Sequence, residues 1–373
     1  MKVTILFANF GPYHLARVNI FRKYCYSLGW EVIGIELARS EAEYPWKTIL
    51  ENINFQVISL ISDKQLEEAN FFALVSRIIQ VLNKIDPDVC VIAGYSRPTM
   101  LLTLFWSFYH HKLAILLSES KEDDAVRFWW QEKAKRWIIQ LYNSALVGGK
   151  QHKRYLRKLR MKSDAIFLGY DVVDNTVFHP TNIRHLPRLI DKPYFLAINR
   201  FIPKKNLHFL ISSYAKYCEV KGVDSWNLVL CGDGPLRPQI EQQIVQLGLQ
   251  DFIHLPGFLQ QNELLPYFAH AGCFIHASTQ EQWGLVVNEA MAAGLPVLVS
   301  EKCGCFEDLV VEGVNGFGFD PENIQQLTDL MLKITSKNVD IDKIGDSALK
   351  HIQQFSPEYF AKGLVQAIEY SMQ

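Results

Sequence analysis

Short apolar runs alternate with helical patterns along the whole chain, and this alternation predicts the fold. Between the runs, apolar residues recur every three to four positions, as in Asp63–Ile85 and Ala125–Tyr142, which is typical of amphipathic helices. Such alternation indicates an α/β protein whose parallel sheets are covered by helices on both faces. The predicted strands are Val3–Ala8, Trp30–Leu37, Val89–Ala93, Leu113–Leu117, Ala145–Val147, Ala165–Leu168, Tyr194–Ile198, Asn227–Cys231, Phe252–His254, Cys273–His276, Pro296–Ser300 and Gly316–Phe319.

Twelve strands are better divided between two six-stranded sheets than placed in one, and 373 residues suit two domains. The segment Phe178–Lys192 is polar, interrupted by prolines and without apolar periodicity, so it marks the boundary. We predict an N-terminal Rossmann-like domain over 1–180, a C-terminal one over 181–355, and a last helix over 356–373 that crosses back. Ligands bind beyond the carboxyl ends of parallel strands, so we expect the two domains to face each other across an active-site cleft.

Composition and charge exclude several classes of protein. A hydrophobic fraction of 49% excludes a disordered chain, and 38 basic against 39 acidic residues give no global attraction to nucleic acid. Residues 1–180 carry 23 basic and 18 acidic side chains, which suggests an anionic partner for the N-terminal half. Seven scattered cysteines fit buried thiols, and the most apolar stretch, Met100–Leu117, is interrupted by polar residues. With no signal peptide at its start, the protein is predicted to be cytoplasmic, at most peripheral at the inner face of the plasma membrane.

The first strand-to-helix turn contains Gly11 and Pro12 but no Gly-x-Gly-x-x-Gly pattern, which argues against a nicotinamide or flavin site. Gly11 brings backbone close to a helix start and could contact a ligand there. A plain turn between a strand and a helix explains the same residues equally well.

Three cations, Arg200, Lys204 and Lys205, lie between the strand Tyr194–Ile198 and the next helical pattern. Cations at a helix N-terminus oppose the helix dipole, so they destabilise the helix unless an anion is bound between them. We therefore predict that Arg200 and Lys205 bind phosphate, whereas Lys204 is solvated.

The segment from 278 to 296 is the most informative. Gly284 leaves the first amides of a helix without a side-chain cap, Glu281 precedes that helix, and Glu289 lies within an apolar part of it. A buried carboxylate is costly without hydrogen-bond partners, and sugar hydroxyls are such partners. The alternative is a capping Glu281 and a surface Glu289.

These residues resemble the GT-B glycosyltransferases of family 4, the retaining type that includes many bacterial exopolysaccharide and lipopolysaccharide enzymes. In the second half of the chain the resemblance is carried by four patterns: the Glu-x7-Glu pair, an Arg-x4-Lys pair, a Gly-x-Gly-Pro turn and a Pro-Gly-Phe-Leu stretch. In this chain they are Glu281 and Glu289, Arg200 and Lys205, Gly232 to Pro235, and Pro256 to Leu259.

The resemblance implies a donor site without a metal or other cofactor, in which Arg200 and Lys205 neutralise the diphosphate. It implies that Glu289 binds the ribose and Glu281 the transferred sugar. Backbone of Gly11, Gly232, Gly284, Leu285, Val286, Phe258 and Leu259 would contact the rest of the donor. The expected reaction is retaining transfer of a hexose, from UDP-glucose or a related UDP-sugar, to a glycan or lipid-linked sugar during cell-surface polysaccharide synthesis.

The first half departs from the family, because Leu117-Ser118-Glu119-Ser120 stands where many relatives have a His. Glu119 and His14 are the candidates for orienting the acceptor. Three other functions stay open at this point: a sugar-nucleotide epimerase, a glycan phosphorylase on the same fold, and a catalytically silent scaffold of a polysaccharide assembly complex.

Residues 128–162 combine Phe128, Trp129, Trp130 and Trp137 with many cations. Such a segment can dock on an anionic membrane, where a lipid-linked acceptor would lie. It also fits a solvated helix whose tryptophans pack into the core. No nucleic acid partner is expected.

Overall fold

The structure is a computed structural model that describes residues 1–40, 53–62, 65–124 and 127–373. The protein divides into two units, and each unit has its own parallel sheet. One unit consists of Met1–Asp174 together with Phe355–Gln373, and the other of Asn175–Gln354. No helix in the described ranges is long and apolar enough to cross a membrane.

The first unit has seven parallel strands in the order β3-β2-β1-β4-β5-β6-β7. The strands are β1 (Lys2–Phe7), β2 (Glu31–Glu36), β3 (Gln56–Ser59), β4 (Val89–Ala93), β5 (Leu113–Ser118), β6 (Ser144–Val147) and β7 (Ile166–Leu168). The helices described in its first segment are α1 (Pro12–Ser27), α2 (Phe71–Ile85), α3 (Pro98–Tyr109), α4 (Trp129–Ile139) and α5 (Lys150–Lys158), with 3-10 turns at Leu66–Glu68 and Ser163–Ala165.

One strand, β3, is absent from the sequence prediction, which therefore gave six strands for this sheet instead of seven. Its four residues lie at the sheet edge and are at most half-buried. They therefore form no continuous apolar run of the kind that revealed the central strands. The predicted helices at Asp63–Ile85 and Ala125–Tyr142 correspond to the shorter α2 and α4, while residues 63–64 and 125–126 lie outside the described residues.

The second unit has six parallel strands in the order β10-β9-β8-β11-β12-β13, all of them predicted. They are β8 (Tyr194–Ile198), β9 (Asn227–Cys231), β10 (Ile253–Gly257), β11 (Cys273–His276), β12 (Val297–Ser300) and β13 (Gly316–Phe319). Its helices are α6 (Asn175–Phe178), α7 (Pro180–Ile183), α8 (Leu207–Lys221), α9 (Arg237–Gln246), α10 (Gln261–His270), α11 (Leu285–Ala292), α12 (Phe306–Leu309), α13 (Ile324–Ile334) and α14 (Ile341–Ile352), with 3-10 turns at Pro203–Lys205 and Gly222–Asp224.

The division between the units falls after Asp174, six residues before the predicted boundary. Side chains from 175 onward pack within the second unit: Asn175 donates a hydrogen bond of 2.9 Å to the carbonyl of Ile352. The ring of Phe178 packs edge-on against Phe268, with centroids 5.4 Å apart. The prolines that suggested a later boundary lie in a segment that already belongs to this unit.

The last helix, α15 (Pro357–Ser371), belongs to the first unit. It packs against α1, and buried residues of both helices share a core with β1. The hydroxyl of Ser144 in β6 donates a hydrogen bond of 2.8 Å to the carbonyl of Ala367. Helices α1 and α15 thus cover one face of the first sheet, while the apolar stripe of α2 joins the separate core on the other face.

Candidate functional site

The strand order of the second sheet reverses between β8 and β11, and this point is where open parallel sheets bind ligands. The chain after β8 and the chain after β11 leave the sheet at the same edge. The amide of Thr279 donates a hydrogen bond of 2.9 Å to the carbonyl of Lys204, so the two loops are joined.

Three side chains at this edge of the sheet converge on one carboxylate. Lys205 forms an ion pair with Oε2 of Glu281. Nε2 of His276, the last residue of β11, lies 3.2 Å from the same oxygen, and the hydroxyl of Ser278 lies 3.3 Å from it. The side chains of Lys205 and Glu281 are only 12% and 13% exposed, and that of His276 is fully buried. The cluster is therefore largely shielded from solvent.

The charge states of the cluster follow from this geometry. Burial alone raises the pKa of Glu281, but the hydrogen bond to His276 and the charge of Lys205 outweigh it and hold that pKa below its usual range. Burial lowers the pKa of His276, so the imidazole is neutral near pH 7 and donates from Nε2 to the carboxylate. Nδ1 of His276 then has no hydrogen-bond partner among the described residues.

Sequence reasoning selected Lys205 and Glu281 and missed His276 and Ser278. A signal was present: His276 ends an otherwise apolar strand at the carboxyl edge of the sheet, where a polar side chain meets ligands. The sequence predicted the position of His276 at the end of a strand but not its contact with Glu281.

Gly284 begins α11 in the left-handed region, with φ of 106°. A Cβ atom there would lie 3.4 Å from Nε2 of His276 and 3.5 Å from Cγ of Glu281, so glycine lets the helix start close to the cluster. The helix has no side-chain cap, and the first-turn amides of Leu285 and Val286 have no acceptor within the helix. This end of α11 is therefore suited to an anion.

Glu289 is 2% exposed on α11, between the buried side chains of Asn288 and Ala290. The alternative of a surface Glu289 is therefore wrong.

Arg200 lies in the loop after β8 and is half-buried. Gly232 fixes the path of this loop: with φ of 127°, a Cβ atom at this position would lie 1.8 Å from the carbonyl oxygen of Asn199. The amide of Phe201 donates a hydrogen bond of 2.8 Å to the carbonyl of Asp233. Gly232 therefore supports the loop that carries Arg200 through direct backbone packing.

Phe258 and Leu259 follow β10 at the same edge of the sheet. Phe258 is 46% exposed, and the neighbouring Gly257 accepts a hydrogen bond of 2.7 Å from the amide of Gly232. An exposed ring at this edge can stack on a flat ligand.

In the first unit, Gly11 caps α1 and its amide donates a hydrogen bond of 3.3 Å to Nδ1 of His14. Burial and the charge of Arg17 lower the pKa of His14 to about 3, so its imidazole is neutral with the proton on Nε2. The imidazole also stacks on Phe7. In this state His14 can donate a hydrogen bond from Nε2 to a ligand.

Glu119, directly after β5, lies close enough to the buried Asp171 to act on it electrostatically. Burial and the charge of Glu119 hold the pKa of Asp171 well above its usual range, although Arg17 opposes this. The guanidinium of Arg17 lies 3.9 Å from Asp171 and donates to the carbonyl of Val172 at 2.9 Å. The raised pKa favours the protonated form of the Asp171 carboxyl, and neither Arg17 nor Asp171 was selected from the sequence.

Within the described ranges, no group of three or more His, Cys, Asp or Glu side chains has the arrangement of a metal site.

Residues 180–351 match the family described as glycosyl transferases group 1. An uncharacterized glycosyltransferase of Methanocaldococcus jannaschii is 28% identical over 49% of this chain and 46% of its own length. The O-antigen chain mannosyltransferase RfbU of Salmonella typhimurium is 30% identical over 61% of this chain and 66% of its own length.

Among solved structures, Anabaena Alr3699/HepE in complex with UDP and glucose superposes with a TM-score of 0.76 at 18% identity, covering 99% of both chains. This likeness concerns the fold. The sequence matches to the first curated relatives span about half of those proteins. The segment that matches the family, residues 180–351, lies within the second unit and contains the Lys205–Glu281–His276 cluster.

Proposed function

We propose that this protein is a glycosyltransferase that moves a hexose from a nucleoside diphosphate sugar to a glycan or lipid-linked sugar. The observation that carries the proposal is the pairing of Lys205 with Glu281 at the switch point of a group 1 domain. In this pair the ammonium group of Lys205 can bind the diphosphate, and the carboxylate of Glu281 can accept hydrogen bonds from sugar hydroxyls.

The geometry suits departure of a nucleoside diphosphate. An ammonium group has three donors, so Lys205 can keep its bond to Glu281 and still donate to phosphate oxygens. The uncapped amides at the start of α11 add positive potential close to the cluster. Charge that develops on the leaving phosphate is stabilised by groups that are already in place.

Arg200 and Lys205 supply the positive charge in this proposal, so no metal is required. Glu281 binds the transferred sugar and Glu289 the ribose, while Phe258 and Leu259 contact the base. The configuration at the anomeric carbon is retained if the acceptor hydroxyl attacks from the same face that the diphosphate leaves. The departing phosphate then takes the proton of the acceptor.

We propose UDP-glucose or a related UDP-sugar as the donor. Support comes from the similar fold of HepE, whose structures are described with UDP, UDP-glucose and glucose. The similarity to an O-antigen chain mannosyltransferase supports a role in cell-surface polysaccharide synthesis.

The test is to incubate the full chain with UDP-glucose, GDP-mannose or ADP-glucose, with a chelator present, and to measure release of nucleoside diphosphate. Glu281→Ala should lower turnover by about 10²–10³-fold, because it removes a group that holds the reacting sugar, with a smaller effect on nucleotide affinity. Glu301→Ala is the control, since Glu301 is exposed just after β12 at the same sheet edge.

Turnover of Glu281→Ala equal to that of wild type would contradict the proposal and favour a scaffold. Conversion of the donor to its epimer without release of diphosphate would indicate an epimerase. Sugar release that depends on orthophosphate would indicate a phosphorylase.

A further inference from the structure

Helix α4 turns three tryptophans outward. Trp129, Trp130 and Trp137 are 79%, 56% and 73% exposed, and the exposed ring of Phe128 stacks on Trp130 with centroids 6.2 Å apart. The chain has eight tryptophans, and these three lie within nine residues. The interpretation in which they pack into the core is therefore wrong. So much aromatic surface in one place is typical of a docking site.

The spacing places these side chains on one helix face. Trp130, Lys133 and Trp137 are separated by three and four residues, and all three are exposed. Ile139, on the opposite side, is buried in the core of the unit. The exposed stripe follows the helix axis for about 12 Å from Trp129 to Trp137.

Helix α5 lies beside α4 and adds positive charge. The hydroxyl of Tyr155 in α5 donates a hydrogen bond of 3.0 Å to Glu132 in α4, and the guanidinium of Arg127 lies 4.6 Å from the centre of the Tyr155 ring. The exposed cations of α5 and the residues after it are Lys150, Arg154, Arg157, Lys158, Arg160 and Lys162.

Residues 127–162 carry eleven Lys and Arg against one acidic residue, in a chain whose net charge is −1. The single acid, Glu132, is bound to Tyr155 and Lys135. Outside this range, Glu122 forms an ion pair with Lys158. Even when the preceding Glu122, Asp123 and Asp124 are included, residues 122–162 carry eleven cations against four acidic residues, so this part of the chain has an excess of positive charge.

We propose that this aromatic–basic face, formed by Phe128, the exposed side of α4 and the exposed cations of 150–162, binds the surface of an anionic lipid bilayer. Tryptophan rings are suited to the level of the lipid headgroups, where α4 would lie parallel to the surface. The cations would contact lipid phosphates. A nucleic acid could neutralise the same cations but offers no apolar phase for four neighbouring aromatic side chains.

The test is co-sedimentation of the full chain with vesicles of phosphatidylcholine alone, or of phosphatidylcholine mixed with phosphatidylglycerol. We expect binding to the mixed vesicles at low salt, with a blue shift of tryptophan fluorescence. Arg157→Glu combined with Lys162→Glu should weaken binding by about 25-fold or more, since each basic residue near the surface contributes about fivefold. Trp129→Ser combined with Trp137→Ser should also weaken binding and reduce the blue shift.

Two double variants in the second unit serve as matched controls. Lys216→Glu with Lys337→Glu makes the same change in charge at exposed positions, and Val220→Ser with Val223→Ser removes two exposed apolar side chains. Both should bind like wild type. Equal recovery with the two vesicle types, unaltered binding of the α4 and α5 variants, or retention on RNA without affinity for vesicles would overturn the proposal. No sugar donor is present, so the outcome is independent of the transfer assay.

Discussion

At the scale of single residues, the candidate site is organised around the carboxylate of Glu281. Lys205, from the loop after β8, forms an ion pair with this carboxylate, and the neutral imidazole of His276, at the end of β11, donates a hydrogen bond to it. Because this environment is largely buried, removing one partner leaves the other charge poorly compensated. Substitutions here are therefore expected to have large and specific effects.

Lys205→Ala should weaken binding of UDP by about 1–3 kcal/mol, because it removes a charge-assisted contact to phosphate and leaves Glu281 to repel it. Isothermal titration calorimetry measures the change. Lys204→Ala removes the same charge one residue earlier and should have little effect. If the two variants lose the same affinity, Lys205 does not contact the diphosphate.

The buried Asp171 predicts a dependence of stability on pH. The pKa of Asp171 is raised in the folded state, so the folded protein keeps a proton that the unfolded chain loses above the ordinary carboxyl pKa. The free energy of unfolding should therefore fall by about 1.4 kcal/mol per pH unit between the ordinary and the raised pKa.

Asp171→Asn mimics the protonated side chain and should remove this dependence. Denaturant unfolding at a series of pH values measures it, with the half-exposed Asp174→Asn as the control. A wild-type slope that persists in Asp171→Asn would show that another group is responsible.

At the scale of elements, the sequence predicted the strands that contain a run of apolar residues and missed the edge strand β3, in which only Val57 and Ile58 are apolar. The turns at the carboxyl edge were also visible in sequence, because Gly and Pro mark them. The close approach of two turns was not visible, since it depends on where neighbouring strands end.

Gly232→Ala tests the close approach between the turn after β9 and the turn after β8. The added methyl would collide with the carbonyl of Asn199, and the backbone conformation is unfavourable for alanine, so we expect a loss of stability of about 3 kcal/mol or more and weaker binding of UDP. Gly248→Ala is the matched control, because Gly248 also has positive φ (66°) but has no atom within 4 Å of the added methyl. Equal losses of stability would mean that backbone strain alone explains the effect.

At the scale of the whole molecule, the chain forms two units, and its last helix returns to the first. This return predicts that a substitution in α15 affects residues far away in sequence. Leu364→Ala should destabilise the first unit by about 2–5 kcal/mol, since Leu364 is fully buried in the core beside β1.

Hydrogen exchange measured by mass spectrometry should show lost protection in β1 and β5–β7, with β8–β13 little changed. Leu327→Ala, at an equally buried position in α13 of the second unit, should give the reverse pattern. Uniform loss of protection in both variants would mean that the units unfold together.

The sequence by itself determined the two α/β halves, the strands of the second sheet and the choice of Lys205 and Glu281, because apolar periodicity and the chemistry of turns are local properties. Only the tertiary structure decided that His276 and Ser278 join Glu281, that Asp171 is buried near Glu119, and that the tryptophans of α4 face outward. Each of these depends on which strand ends become neighbours or which helix face meets the sheet. Those relations arise when distant segments pack together, and no window of sequence contains them.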